Sequence, residues 1–215
     1  ADRRMTVASS IHRPALVTAK IGFGLLAFSS IVSEIATIVE RGTWVPENFF
    51  AYFTIETNML VVLSLLLSAV ATAANAQGAR INAFRAAVTV YILIVGIGFA
   101  LLLSGLTDVD FTAVPWNNTV LHYVMPVVML IDLLIDRPAK RIRFGTALIW
   151  LIFPAGYAAF SLVRGNLIGW YPYPFLNPTE QGYAPVVLTI IGLVVLGVAL
   201  TWLVTLLSRR PGKSR

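Results

Sequence analysis

The chain of 215 residues contains no cysteine. That excludes a disulfide scaffold, a thiolate nucleophile and a cysteine-based metal site. Histidine is nearly as scarce: His12 and His122 are the whole supply, without the tightly spaced pair that zinc sites use. Charged residues make up 12%, about half the share typical of soluble domains. No internal repeat is evident, which argues against a transporter built on inverted halves. The first apolar stretch is too long for a signal peptide and no small-residue cleavage site follows it, so no cleaved leader is expected.

What fills the chain instead is apolar. Hydrophobic residues account for 58% and the mean hydropathy is +0.81. A membrane-spanning helix needs about 20 mostly apolar residues. Six stretches qualify, at residues 15–39, 50–74, 82–105, 117–136, 143–163 and 183–207. The expected fold is all-α: one polytopic domain over residues 1–215 with six transmembrane helices.

The basic residues then set an orientation. Arg41 and Arg164 fall on one side of the expected topology, and the other fourteen of the sixteen Lys and Arg fall on the opposite side. Arg3, Arg4, Arg13, Lys20, Arg80, Arg85, the Arg137–Arg143 cluster, Arg209, Arg210, Lys213 and Arg215 define that basic face. Both termini are expected to be cytoplasmic in a cell membrane. The outer face carries Glu40, Glu47, Asp108, Asp110 and Glu180. The net charge of +6 thus reads as topology and contact with anionic lipid, and no nucleic-acid partner is expected.

Polar residues inside such helices are costly and mark functional sites by default. Glu34 lies near the outer end of the first span. Thr54, Glu56, Thr57 and Asn58 occupy the first turns of the second, and Asn117, Asn118 and His122 those of the fourth. On the second span, Thr54, Thr57, Asn58, Val61, Ser64, Leu65 and Ser68 recur at helical spacing and form one small, polar face. Glu56 points away from it, towards Arg41 or Arg164. On the fourth, Asn118, His122, Met125, Met129, Asp132 and Asp136 form a second stripe. Asp132 and Asp136 sit beside the Arg137–Arg143 cluster and are expected to make structural ion pairs. A hydroxyl from Thr54 or Thr57 and the His122 imidazole supply the minimum parts of acyl-transfer chemistry. The plainer alternative is that these side chains only bridge helices or grip a polar headgroup.

The segment from Arg164 to Tyr183 is expected to be the longest non-helical stretch. Pro172, Pro174 and Pro178 fix an extended path. Trp170, Tyr173 and Phe175 suit either an aromatic belt at the headgroups or a cap over a pocket.

The FTIETN segment from Phe53, NNTVLHYVMP from Asn117 and GWYPYPFL from Gly169 together resemble the androgen-induced and androgen-dependent TFPI-regulating membrane proteins. The resemblance covers most of the chain in order and topology. It implies a multi-span hydrolase of fatty-acid esters of hydroxy fatty acids, with Thr54 as nucleophile and His122 as general base. Thr57 is the alternate nucleophile. In such a mechanism Asn58, Asn117 or Asn118 would donate to the oxyanion, and Glu34 or Glu56 would orient His122. Met125, Met129, Trp170, Tyr173 and Phe175 would line the substrate channel. A membrane lipid is the expected substrate, with no cofactor and no metal; the number of subunits is left open. The competing class is a lipid or small-molecule carrier using the same polar cluster without chemistry.

Overall fold

The computed structural model describes residues 2–106, 111–138 and 140–208, with side chains from residue 13 onward. The side chains of Arg3, Arg4 and His12, and residues Asp108, Asp110, Arg209, Arg210, Lys213 and Arg215, lie outside that set. All regular structure among the described residues is helical. Six helices are long and apolar enough to cross a membrane: α1 Arg13–Glu40, α2 Phe53–Ala73, α3 Ala79–Leu102, α4 Pro115–Ile135, α5 Phe144–Ile168 and α6 Tyr183–Leu207.

Helix α3 is the centre of the bundle, packed against α2, α4 and α6. Its run from Arg85 to Val95 is buried throughout. Helix α1 closes the bundle against α2, and the first turns of α5 rest on α6. The outward faces of α5 and α6 present Ile152, Val163, Leu167, Leu188 and Val195 to the surroundings. That apolar exterior is what hydrocarbon solvates and water does not.

Two of the boundaries that differ from the sequence expectation bear on the site. Helix α2 begins at Phe53, because the preceding residues make a separate turn, Pro46–Phe49, opened by a proline at its first position. A proline there costs nothing, since the first N–H groups of a helix lack intrahelical partners. Helix α5 continues past Arg164 to Ile168 and ends at Gly169, whose φ of 70° is left-handed. Glycine adopts that conformation without a Cβ penalty. The irregular segment is therefore shorter than expected, and it contains two short helical turns, Pro174–Leu176 and Pro178–Gln181.

Two polar layers cross this apolar bundle. Near the end where α1 enters and α6 leaves, Lys20 contacts Asp132 at 2.8 Å and Asp136 at 2.9 Å, while Arg85 contacts the same two carboxylates at 3.0 and 2.8 Å. Arg85 is 0% exposed. Asp132 and Asp136 thus make the structural ion pairs expected of them, with Lys20 and Arg85 as the partners. This corrects the place of Lys20 and Arg85, which are buried inside the bundle rather than on a basic surface. The second layer lies at the opposite end and holds the candidate site.

A candidate hydroxyl–imidazole site between two cavities

Thr54 is the second residue of α2, where a helix has backbone N–H groups without intrahelical acceptors. Its N–H donates to the Tyr173 hydroxyl oxygen at 3.2 Å. The Thr54 Oγ1 lies 3.3 Å from His122 Nε2 and 3.2 Å from the Tyr173 hydroxyl. All three residues are buried.

The geometry of α4 explains how His122 reaches this point. Pro126 has no N–H to give to the His122 carbonyl four residues earlier. The helix accommodates by widening over Val120–Val124 into a π turn, with the Met125 N–H bonded to the Val120 carbonyl. Such π turns recur at functional sites. The widened turn is covered closely by α3. A Cβ on Gly96 would lie 2.8 Å from Pro126 Cγ and 3.0 Å from the His122 carbonyl oxygen, so only glycine fits without displacement. Phe99, one turn further along α3, stacks on the imidazole with centroids 4.1 Å apart and planes at 27°.

The tautomer follows from the bonding. His122 Nδ1 is 3.1 Å from the Asn118 carbonyl oxygen. A carbonyl only accepts, so Nδ1 carries the proton and Nε2 presents its lone pair to Thr54. That is the form a general base requires.

The remaining predicted residues separate into distinct roles. Glu34 accepts from the Ala113 and Val114 backbone N–H groups and from Asn117 Nδ2 at 2.7 Å. Asn117 Oδ1 accepts in turn from Ser30 and Ser33 at 3.0 Å each. Together they tie α1 to the start of α4. Asn58 spends its amide hydrogens on the Thr54 carbonyl at 2.8 Å and the Leu121 carbonyl at 3.3 Å, bracing α2 against the π turn. Asn118 acts on His122 through its backbone carbonyl, so neither Glu34 nor Glu56 holds the imidazole. Glu56 is half-buried and meets neither expected arginine. Arg41 donates to the Ala113 carbonyl at 2.8 Å; Arg164 donates to Asn48 Oδ1 at 2.7 Å and lies over the Trp170 ring. Thr57 is fully buried with no partner for its hydroxyl, and it borders neither cavity.

Two cavities meet at Thr54. The first, about 390 Å³, is almost wholly apolar and runs between α3, α5 and α6, with Gly98, Phe99, Ala158, Phe175 and Leu193 among its walls. The second, about 350 Å³, has mixed walls that are largely apolar but include Glu34, Arg41, Asn48, His122 and Trp170. Thr54 and Tyr173 border both. Trp170, Tyr173 and Phe175 line these cavities. Met125 and Met129 do not: both are 0% exposed and pack in the hydrophobic core.

The Pro-rich loop is folded inward and held at several points. Tyr173 is extended, between Pro172 and the turn opened by Pro174. Its ring stacks on Phe175 with planes at 5° and meets Tyr52 edge-on. Gly165 on α5 leaves space that the Tyr171 ring occupies; a Cβ there would stand 2.1 Å from that ring. Burial pushes the Tyr173 phenol up to about 12, with the bond it accepts from the Thr54 N–H working the other way.

Sequence reading did not find Phe99, Gly96 or the Thr54–Tyr173 bond. Phe99 and Gly96 sit in an apolar helix with no polar neighbour to mark them. The proline four residues after His122 was the available signal for the π turn. No family model matches the chain, and no curated protein or solved structure matches it.

Proposed function

We propose that the chain is an integral-membrane lipid-ester hydrolase, as its resemblance to the androgen-induced hydrolases implies, with Thr54 as nucleophile and His122 as general base. One observation carries this reading: a buried Thr hydroxyl faces the unprotonated nitrogen of an oriented imidazole, at the junction of an apolar cavity and one of mixed polarity. Nucleophile, base and orienting group are the parts an acyl-transfer site needs. A 3.3 Å contact is within the looser geometry of unliganded sites. The apolar cavity suits an acyl chain; the mixed one suits the alcohol side of the ester.

In the proposed cycle the Thr54 hydroxyl gives its proton to His122 Nε2 as Oγ1 bonds to the ester carbonyl carbon. The imidazolium then protonates the departing alkoxide as the carbon–oxygen bond breaks. Water, deprotonated by His122, releases the acyl group as a carboxylic acid and restores the Thr54 hydroxyl.

The test is covalent labelling of the purified protein with a fluorophosphonate. The expected adduct is on Thr54, absent in Thr54→Ala and His122→Ala and retained in Thr57→Ala. Base and nucleophile act as a unit, so turnover in the double variant should be little worse than in either single one. A non-enzymatic carrier would not be labelled, and full turnover in His122→Ala would end the mechanism. The proposed topology places both termini in the cytoplasm and the site in the outer leaflet. Because the chain lacks cysteine, single cysteines report it directly: one at Gly78 should resist an impermeant thiol reagent in intact cells, and one at Asn177 should react. The opposite pattern reverses the orientation.

A further inference from the structure

We propose that Tyr173 is a third catalytic residue, donating its phenolic hydrogen to the Thr54 oxygen at rest and to the substrate's carbonyl oxygen as negative charge develops there. The inference rests on the Thr54–His122 reading.

The direction of every hydrogen bond in the cluster can be deduced. The Asn118 carbonyl fixes the proton on His122 Nδ1, so Nε2 accepts. The single Thr54 hydroxyl hydrogen goes to Nε2. Between Thr54 Oγ1 and the Tyr173 hydroxyl, 3.2 Å apart, Tyr173 is therefore the donor. The Thr54 backbone N–H donates to the same phenolic oxygen, which occupies a lone pair of that oxygen and leaves its O–H directed at the nucleophile. A nucleophile that loses a proton on one side thus receives a hydrogen bond on the other.

Several neighbouring groups that could stabilise an oxyanion are committed elsewhere. The Thr54 N–H is spent on Tyr173. Asn58 Nδ2 is spent on two carbonyls, and Asn117 Nδ2 faces the Glu34 carboxylate. The Tyr157 hydroxyl donates to the Ala51 carbonyl at 2.9 Å. Tyr173 borders both cavities beside Thr54, so an ester carbonyl placed on Thr54 comes within reach of its O–H.

The balance of the step is simple. Thr54 Oγ1 forms a bond to the carbonyl carbon, its proton passes to His122 Nε2, and the carbonyl π pair moves onto the oxygen. Tyr173 keeps its proton throughout and only redirects it from Oγ1, which now has a new covalent bond, to the oxyanion. When the tetrahedral species collapses, the hydrogen bond returns to Oγ1.

The experiment compares Tyr173→Phe with Thr54→Ala on a short 4-nitrophenyl ester. Removing one oxyanion donor elsewhere costs about 10²–10³ in kcat, so Tyr173→Phe should lose on that order in kcat with KM changed little. Replacing Tyr173 by ring-fluorinated tyrosines keeps the ring and its packing while making the phenol a stronger donor. The rate should then shift with phenol acidity, which a purely structural tyrosine would not produce. Full kcat in Tyr173→Phe, or a flat fluorotyrosine series, overturns the assignment and leaves Thr54 and His122 untouched. Turnover surviving in Thr54→Ala would overturn the underlying reading itself.

Discussion

The two polar layers of the bundle contain similar groups and do opposite things with them. At the end where α1 begins and α6 finishes, Lys20 Nζ has three hydrogens and three acceptors: Ser68 at 2.6 Å, Asp132 at 2.8 Å and Asp136 at 2.9 Å. Gln77 adds a bond to Asp136 at 2.8 Å. Burial pushes the Asp136 carboxyl up, but the Arg85 and Lys20 charges more than offset this and leave it below its ordinary value. Two cations answer two anions, neither cavity reaches them, and four elements are locked together. At the opposite end, Thr54 and His122 are oriented as firmly, yet both border open space. A polar cluster whose capacity is spent internally is a bracket. One that is oriented but opens onto a cavity is a site for chemistry.

Removing one polar side chain from each end is the largest test of that contrast. Arg85→Ala leaves buried carboxylates short of a partner and should cost about 3–5 kcal/mol of stability, read as a large fall in the melting temperature. The folded fraction should keep turnover within a few-fold. His122→Ala should do the reverse, abolishing turnover with little change in melting. Equal loss of both properties in each variant would erase the distinction between the layers.

What the sequence made legible, and what it did not, follows the same division. Helical period is a property of one chain segment, so the buried stripe of α2 from Thr54 to Ser68 and the placing of His122 on the inner face of α4 could be read directly. Period does not say which helix lies opposite. Asp132 and Asp136 were therefore legible as structural ion pairs, but their partners were not, and packing supplies Lys20 from α1 and Arg85 from α3. The same limit applied to Met125 and Met129: the stripe identified their face, but the π turn beside Pro126 shapes what that face meets. Tyr173 lay in a loop, where no period operates, and its contact depends on how Pro172, Pro174 and Gly165 fold the segment back. The sequence showed an aromatic, rigid loop; the bond to Thr54 is a tertiary event.

The smallest expected effect sharpens the difference between the two cavities at Thr54. If the apolar one holds the acyl chain, its far wall should set chain length without touching the reacting atoms. Gly98 borders that cavity, and the nearest atom to a Cβ built there is Leu193 Cδ2 at 3.9 Å. Gly98→Leu therefore has room to project into it and should shorten the preferred acyl chain. Phe175 lies across the same space, and Phe175→Ala should extend the preference. Each methylene denied burial is worth about 0.8 kcal/mol, roughly fourfold in kcat/KM, so a shift of two carbons should read as about fifteenfold. Short soluble esters should be hydrolysed at near-normal rates by Gly98→Leu, because only binding energy from remote carbons is lost. Phe175 also stacks on Tyr173, so a modest fall in kcat for all esters is expected with that variant alone. A chain-length profile unchanged in both would assign the acyl chain to the mixed cavity or to the surrounding lipid, and would leave the apolar space as packing between α3, α5 and α6.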